Sequence, residues 1–547
     1  MFQTGLLIVT QPLLASRNRI PIYLTGIKKL IQNTLYVHIQ PVTPRAALDV
    51  ANFHIEQVPY TTSVRSFIKE FYSKSASLCN NLDVRILLNH ISNKPLHNLS
   101  FNLHSHCDIV FIDSKSFGVA TSTNDDLFKC MQKSFMLGKS VEFKLIGSWV
   151  ANDGLHVVTE KEAEDEIIKT YCHTVLGGTF DRLHIGHKVL LSEGALLGQN
   201  SLTVGVTVQA MNQKKILHEL IQSIDDRQKA VEEFLTDVKS SLTYNIVPIE
   251  DIFGPTVKDS KLECIILSEE TRKGGELINQ EREKRSMSRL DEYVIELLED
   301  DARLSQYEEE KISSSTTRKR LLGMLLRQPP PRPELSSNPY VIGLTGGIAS
   351  GKTSVCQYLE KLGAAVVDCD KLGHVVYLNG TPAYEKLVAE FGQEILTEDG
   401  EINRKALGAK VFADKSLLEK LNSIVWPEIG RLAAEKIQQF HKEGKAVVVL
   451  EAALLLEAGW DKIVHEVWTN IIPPAEAVRR ITTERNLSEE EAKRRLGSQL
   501  SNEDRIKRSN VVLCPLWEYE YTHLQIDRAW RLLQQRLSKP DEVRPRM

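Results

Sequence analysis

Short apolar runs alternate along the chain with longer stretches in which apolar residues return at helical spacing, and this predicts strands joined by helices. Tyr171 to Leu176 reads as a buried strand, Gly177-Gly178 as a tight turn, and the periodic run opening at Lys188-Val189-Leu190-Leu191 as a helix. Val204-Gly205-Val206 and Leu262 to Leu267 are further strands, with a helix over Ile224 to Phe234 between them. The pattern restarts at Tyr340 with a strand to Leu344, a helix over Ser354 to Leu362, and strands over Ala364 to Val367 and Ala446 to Leu450. Ahead of all these, Val84 to Leu88 and Asp108 to Ile112 are strand-like pieces among polar loops, the mark of a smaller α/β region. The fold class is α/β in every part. Leu326 to Pro339 is proline-rich, cannot continue a helix or a sheet, and reads as a linker.

Composition narrows the picture. With 547 residues the chain has room for about three or four domains. Its 68 basic and 72 acidic side chains leave a net charge of −4, which excludes the broad basic face that nucleic-acid binding needs. No uninterrupted apolar run approaches the roughly 18 residues of a membrane-spanning helix; the run Ala446 to Leu456 is broken by Glu451. Eight cysteines without a C-x-x-C pair indicate neither a disulfide framework nor a zinc knuckle, and fit a reducing compartment. His104, His106 and Cys107 lie close together, but further metal ligands are missing at any recognisable spacing.

The start of the chain is different. Met1 to Leu48 holds no acidic residue, carries Arg17, Arg19, Lys28, Lys29 and Arg45, and has an apolar stretch, Gly5 to Ala15, ahead of the first arginines. Such chemistry suits a mitochondrial targeting or membrane-surface segment, and a terminus with a chance charge bias fits equally. The expectation is a cytoplasmic or mitochondrial protein, in the matrix or on the outer membrane surface, with peripheral membrane association through this end.

A first candidate site follows the strand at Tyr171, where the chain reads Gly177-Gly178-Thr179-Phe180-Asp181-Arg182-Leu183-His184-Ile185-Gly186-His187. His184 and His187 stand about a turn apart at the mouth of a helix, whose free N–H groups and positive field favour phosphate. Gly186 lets a phosphate approach the backbone, and two imidazoles can donate to oxygens of a phosphorus centre as charge develops, for about a few kcal/mol each. This run resembles the nucleotidyltransferase superfamily with the H-x-G-H signature, which has a Rossmann-like fold and splits a nucleoside triphosphate at its α-phosphate. Ile312-Ser313-Ser314-Ser315-Thr316-Thr317-Arg318 looks like that family's second phosphate loop. The resemblance makes His187 and His184 catalytic. It implies an ATP site of Gly178, Thr179, Lys214 or Lys215, Arg227, Ser313, Ser314, Ser315 and Arg318. The run from Ile266 through Ser268-Glu269-Glu270-Thr271, Gly274-Gly275 and Asn279 to Arg282 is similar to phosphopantetheine adenylyltransferases of the eukaryotic type.

A second site opens at Gly346. Gly346-Gly347-Ile348-Ala349-Ser350-Gly351-Lys352-Thr353 matches G-x-x-x-x-G-K-[ST] between a strand and a helix. Backbone N–H groups of such a loop wrap a β-phosphate, Lys352 bridges β and γ, and the Thr353 hydroxyl ligates Mg²⁺ that arrives with ATP. The strand over Ala364 to Val367 ends in Asp368-Cys369-Asp370, where one carboxylate can take a hydroxyl proton, Asp370 before Asp368. Arg479, Arg480, Arg485, Arg494 and Arg495 fall in a helical region with a capping box at Ser488-Glu489-Glu490-Glu491. They suit a lid over the γ-phosphate, with Arg480 and Arg485 as phosphate ligands; a solvated face with pairs Glu489–Lys493 and Glu490–Arg494 is the alternative. The stretch from about Val341 to Trp517 resembles dephospho-coenzyme A kinases. Bacterial relatives typically have Gly where Ala349 stands, His-Pro where Trp426-Pro427 stands, and an asparagine near Cys514-Pro515.

The two resemblances imply successive steps of one pathway, in the order of the bifunctional coenzyme A synthases of animals. They divide the chain into the acid-free segment (1–48), an N-terminal α/β region of unassigned role (49–170), an adenylyltransferase domain (171–325), the linker (326–339) and a P-loop kinase domain (340–547). The implied substrates are 4′-phosphopantetheine, ATP and dephospho-coenzyme A, without nucleic acid. The runner-up is a nicotinamide mononucleotide adenylyltransferase fused to a riboside kinase. A scaffold with a decayed site is disfavoured by the intact Lys352, Thr353, His184 and His187.

Overall fold

The computed structural model describes residues 1–10, 12–40, 54–79, 81–92, 101, 103–113, 126–138, 141–146, 165–300, 303, 305–412, 414–485 and 487–538. The chain divides into two compact units, Met1–Thr317 and Arg318–Met547.

The first unit holds two five-stranded sheets. Strands β1 (Phe2–Val9), β2 (Ile31–Ile39), β4 (Asp83–Leu87), β6 (Ile109–Ile112) and β7 (Glu142–Leu145) are all parallel, in the order β4-β2-β1-β6-β7. The short β3 (His54–Gln57) and β5 (Asn89–Ser92) pair antiparallel beside them. The second sheet, β8 (Tyr171–Gly178), β9 (Gly198–Thr207), β10 (Thr243–Ile249), β11 (Cys264–Ser268) and β12 (Asp291–Ile295), is parallel in the order β10-β9-β8-β11-β12. Central strands of such sheets are covered on both faces and read as continuous apolar runs. Leu6, Leu7, Ile8 and Val9 illustrate it, each at most 1% exposed. One apolar core containing Leu7, Leu35, Phe67, Leu176, Leu191 and Leu235 runs through both sheets.

This corrects the reading of the first 48 residues as a separate segment. The apolar stretch that resembles a membrane-seeking element is β1, at the centre of a sheet, paired with β2 on one side and β6 on the other. Residues from both sides of the expected 48/49 boundary therefore build a single module. No helix among the described residues is long and apolar enough to cross a membrane.

The second unit carries one parallel sheet: β13 (Tyr340–Gly346), β14 (Ala365–Asp368), β15 (Val447–Glu451), β16 (Glu466–Asn470) and β17 (Val511–Leu513), in the order β14-β15-β13-β16-β17. The proline-rich stretch has no helix or strand, as its composition requires, yet it is not a free spacer. The Leu326 amide donates to Asn510 O (2.8 Å). Arg327 donates to Ile506 O (2.7 Å) and Arg332 to Asp461 O (3.1 Å). The stretch is thus fastened along the kinase-type unit, and the division falls at 317/318 rather than before residue 326.

A buried carboxylate ties the first unit together. Asp237, near the end of the helix Ile224–Val238, accepts hydrogen bonds from the Tyr36 hydroxyl (2.9 Å), Arg85 (2.5 Å) and both the amide and Nδ1 of His104 (2.8 Å each). This is also where His104 of the candidate metal cluster is engaged. Removing the carboxylate leaves the Arg85 cation short of a partner, at a cost of about 3–5 kcal/mol. Asp237→Ala is expected to move the urea transition of the first unit to lower concentration and leave that of the second unit in place.

Candidate active sites

In the first unit, β8 ends in Gly178, and the chain crosses to the helix Ile185–Leu197 through a loop built against local strain. Phe180 (φ 52°) and Arg182 (φ 46°) take left-handed backbone conformations that side chains disfavour. Burial and hydrogen bonds hold them there. Phe180 is fully buried, its ring 3.0 Å from where a Cβ on Gly178 would sit, so a larger residue at 178 would press on that ring. Buried Asp181 accepts the Gln222 amide (3.1 Å) and the Arg182 guanidinium (3.0 Å).

His184 is the N-cap of the following helix, and its ring stacks on that of His187 with centroids 3.7 Å apart. The two imidazoles do share one side of the helix mouth. His184 Nε2 lies 3.2 Å from Ser314 Oγ, so the second phosphate loop meets the H-x-G-H turn in space. Lys215 donates to Thr179 Oγ1 and so reaches the same loop; both Lys214 and Lys215 are solvent-exposed. Burial pushes the His187 pKa well below its usual value, and the neighbouring His184 and Lys215 push the same way. His187 is therefore neutral near pH 7.

Other expected ligands have different work. Arg227 is buried and donates to Thr179 O (2.7 Å) and Gln222 O (3.0 Å); it braces the loop from behind instead of offering its guanidinium to a phosphate. Ser313 caps the next helix by accepting the Thr316 amide (3.1 Å), Ser315 stands in its first turn, and Arg318 is almost fully buried. The adenylyltransferase-like run is also structural. A Cβ on Gly275 would lie 2.3 Å from Leu267. Asn279 pairs with both backbone groups of Leu290. Buried Arg282 donates to Ser288 O (2.7 Å), Asp259 O (3.1 Å) and Thr256 O.

In the second unit, the loop after β13 turns through Gly346 (φ 151°), Ala349 (φ 60°) and Gly351 (φ 77°). A Cβ on Gly346 would meet Asn470 O at 2.6 Å. Ala349 takes a left-handed backbone conformation that glycine adopts freely. Asn470 donates to Ser350 O (3.2 Å) and the Ile348 amide to Gln499 Oε1 (3.0 Å), so the loop is held at several points. Lys352 Nζ reaches Gly346 O (3.1 Å) and Gly347 O (3.4 Å). Burial lowers its pKa, partly offset by Glu451 and Asp370. Thr353, one residue on, is exposed.

The two expected carboxylates separate in role. Asp368 accepts the Lys371 amide (3.0 Å) as a helix cap and pairs with its ammonium (3.1 Å), while Asp370 is exposed in the first turn of that helix. Arg480 donates to Ala349 O (3.3 Å), Pro515 O (2.7 Å) and Glu476 (2.7 Å), which fixes it against the loop. Arg479, Arg494 and Arg495 pair on the exposed face, the last two with Glu491 rather than Glu490, and Glu489 pairs with Lys493 (2.6 Å) as expected. The side chain of Arg485 lies outside the described residues.

Two residues escaped the sequence reading. Glu451 ends β15 in register with Asp368, and its pKa is raised by burial and by the nearby carboxylates. Its only signal was a charge terminating an apolar run. Arg505 is 3% exposed with NH1 3.6 Å from a Cβ position on Gly347, and its Nε and NH2 find no hydrogen-bond partner among the described residues. Nothing local marks it among neighbouring arginines.

The geometry defines a nucleotidyltransferase-type site on one unit and a P-loop phosphotransfer site on the other. Residues 340–515 match the family model described as dephospho-CoA kinase, 175–320 the cytidylyltransferase-like model, and 3–122 the COASY N-terminal domain. The dephospho-CoA kinase of Geobacter sulfurreducens is 42% identical over 190 residues, 35% of this chain and 96% of that protein. That of Symbiobacterium thermophilum is 38% identical over 191 residues, 35% of this chain and 80% of that protein. Among solved structures, the dephospho-CoA kinase from Campylobacter jejuni is 27% identical, spans 36% of this chain and 97% of its own, and has a TM-score of 0.29. The chain belongs to the dephospho-CoA kinase family through its second unit, and its three domain matches together are those of a bifunctional coenzyme A synthase.

The neutral His187 has a consequence for pH. In the unfolded chain a histidine titrates near 6.5. Below that pH the unfolded state takes up a proton that the native site refuses, so stability is complete above the unfolded value and falls as the solution is acidified, by about 1.4 kcal/mol per pH unit at most. Melts of the first unit from pH 7 to 5 should lose stability, and His187→Gln should remove that component.

Proposed function

We propose that the chain makes coenzyme A from 4′-phosphopantetheine in two ATP-dependent steps. The observation that carries this is the meeting of His184 with Ser314 beside His187, on a chain whose other unit belongs to a family that consumes the product of such a transfer. At the first site a phosphate oxygen of 4′-phosphopantetheine attacks the α-phosphorus of ATP. The bond to the β-phosphate oxygen breaks, pyrophosphate leaves, and dephospho-coenzyme A forms. The nucleophile is already ionised, so positioning and charge stabilisation suffice without a protein base. His187 and His184 donate to the developing oxyanion; Lys215, Thr179 and Ser314 line the triphosphate.

At the second site the ribose 3′-hydroxyl of dephospho-coenzyme A attacks the γ-phosphorus of a second ATP, the bond from that phosphorus to the β,γ-bridging oxygen breaks, ADP leaves, and coenzyme A forms. Asp370 accepts the hydroxyl proton, since Asp368 is occupied as a cap. Lys352 bridges the β- and γ-phosphates, and Arg480 and Arg505 hold the charge of the loop's ligand. The Thr353 hydroxyl is a hard oxygen donor of the kind that suits Mg²⁺, and among the described residues no group of three or more His, Cys, Asp or Glu side chains could hold a metal ion by itself. When bound with ATP, the ion neutralises triphosphate charge; Thr353 would hold it directly.

Mass spectrometry after incubation with 4′-phosphopantetheine and ATP–Mg²⁺ tests the reading. Coenzyme A is the expected product, Lys352→Ala should accumulate dephospho-coenzyme A, and His187→Ala should stop before it. An adenylylated nicotinamide mononucleotide in place of dephospho-coenzyme A would overturn the acceptor.

A further inference from the structure

The two sheets of the first unit share one topology. In each, the strand that comes first in the chain lies at the centre, its second and third strands follow to one side, and the fourth and fifth to the other. The carboxyl ends of the two central strands differ. β8 runs into the glycine turn and the histidine pair, whereas β1 runs into Thr10-Gln11-Pro12-Leu13, with no glycine between Thr10 and Gly26 and no histidine before His38. The Thr10 amide and hydroxyl both donate to Asp113 Oδ1, at 3.1 and 2.7 Å, and Asp113 follows β6 directly and is buried. A carboxylate of the chain thus takes the donors that face a phosphate in the second sheet's arrangement, and it would repel an anion.

The module instead grips the helix that carries the histidines. Lys188, next to His187, is 5% exposed. Its Nζ donates to Asp83 Oδ1 (2.5 Å) and Val84 O (3.0 Å) on β4, while Arg85 holds the other Asp83 oxygen (2.8 Å). Farther along the helix, buried Glu193 accepts the Tyr60 hydroxyl and faces Arg65 at 3.8 Å. At its last turn, Gln57 donates to Leu196 O (3.1 Å). The helix is therefore anchored to the N-terminal module at three points along its length, and the first anchor sits beside the chemistry.

We propose that the N-terminal module is a catalytically silent second copy of the nucleotidyltransferase-type fold, and that Asp83, acting through Lys188, is a positioning residue for His184 and His187. This rests on the adenylyltransferase reading of the first site. Misplacing reacting groups by about 1 Å can cost on the order of a hundredfold in rate, so a slackened first turn acts on turnover rather than on ATP affinity.

The test uses the full chain. Asp83→Asn keeps the shape and removes the charge; adenylyl transfer should lose about tenfold or more in kcat with KM for ATP little changed. The kinase step, assayed from supplied dephospho-coenzyme A, should be unaffected, and Asp83→Glu should restore part of the loss. Wild-type kcat in Asp83→Asn overturns the proposal. So does a loss that tracks a lower melting point of the first unit and is not relieved by Asp83→Glu. If the wild-type chain adenylylates nothing, the reading of the site fails, and hydrogen exchange decides the positioning claim alone. Asp83→Asn should then speed exchange over residues 184–190 and leave β9 and β10 unchanged; uniform or absent change refutes it.

Discussion

A parallel strand hands over to its helix through a turn whose backbone N–H groups have left the sheet and have not yet entered the helix's own hydrogen-bond ladder. Those donors converge at the carboxyl edge and carry the positive end of the helix field. Both sites of this chain are built on that constraint. Gly178 and Gly186 shape the first turn, where a Cβ would press on the Phe180 and His184 rings; Gly346 and Gly351 shape the second with positive φ, and a Cβ on Gly346 would meet Asn470 O. Cationic and imidazole groups then gather where the donors point, and burial weakens their hold on protons, as for His187 and Lys352.

Much of what makes the motifs recognisable supports the turn rather than the ligand. Arg227 and Arg282 spend their guanidinium donors on backbone carbonyls. Gly275 admits Leu267, and Asn279 closes a loop on Leu290. An arginine satisfied by carbonyls in a buried setting fixes loop geometry tightly, because leaving those acceptors unpaired is costly. Family runs of this kind identify a fold and its exact turn geometry; the groups that meet substrate are fewer.

The strand–turn–helix units at Tyr171 and Tyr340, the stacked histidines and the phosphate loop were legible in the sequence, because each depends on residues within about two helical turns of one another. The cap at Ser488 and the Glu489–Lys493 pair were legible for the same reason. The start of the chain was not. An apolar run followed by spaced basic residues looks alike whether it seeks a membrane or fills a sheet, and only the pairing of β1 with β6, about a hundred positions on, distinguishes them.

Local chemistry thus determined the class of both sites: glycine placement, helix starts and side-chain type are set by neighbours along the chain. Tertiary structure decided which charges belong to those sites. It brought Lys215 to Thr179, made Asp368 a cap, set Arg505 and Glu451 beside the phosphate loop, and laid the proline-rich stretch along the second unit. It also set Asp83 against Lys188 across 105 residues. Such pairings depend on which strand edges and helix faces are buried together, and burial is a property of the whole core rather than of any short run of sequence.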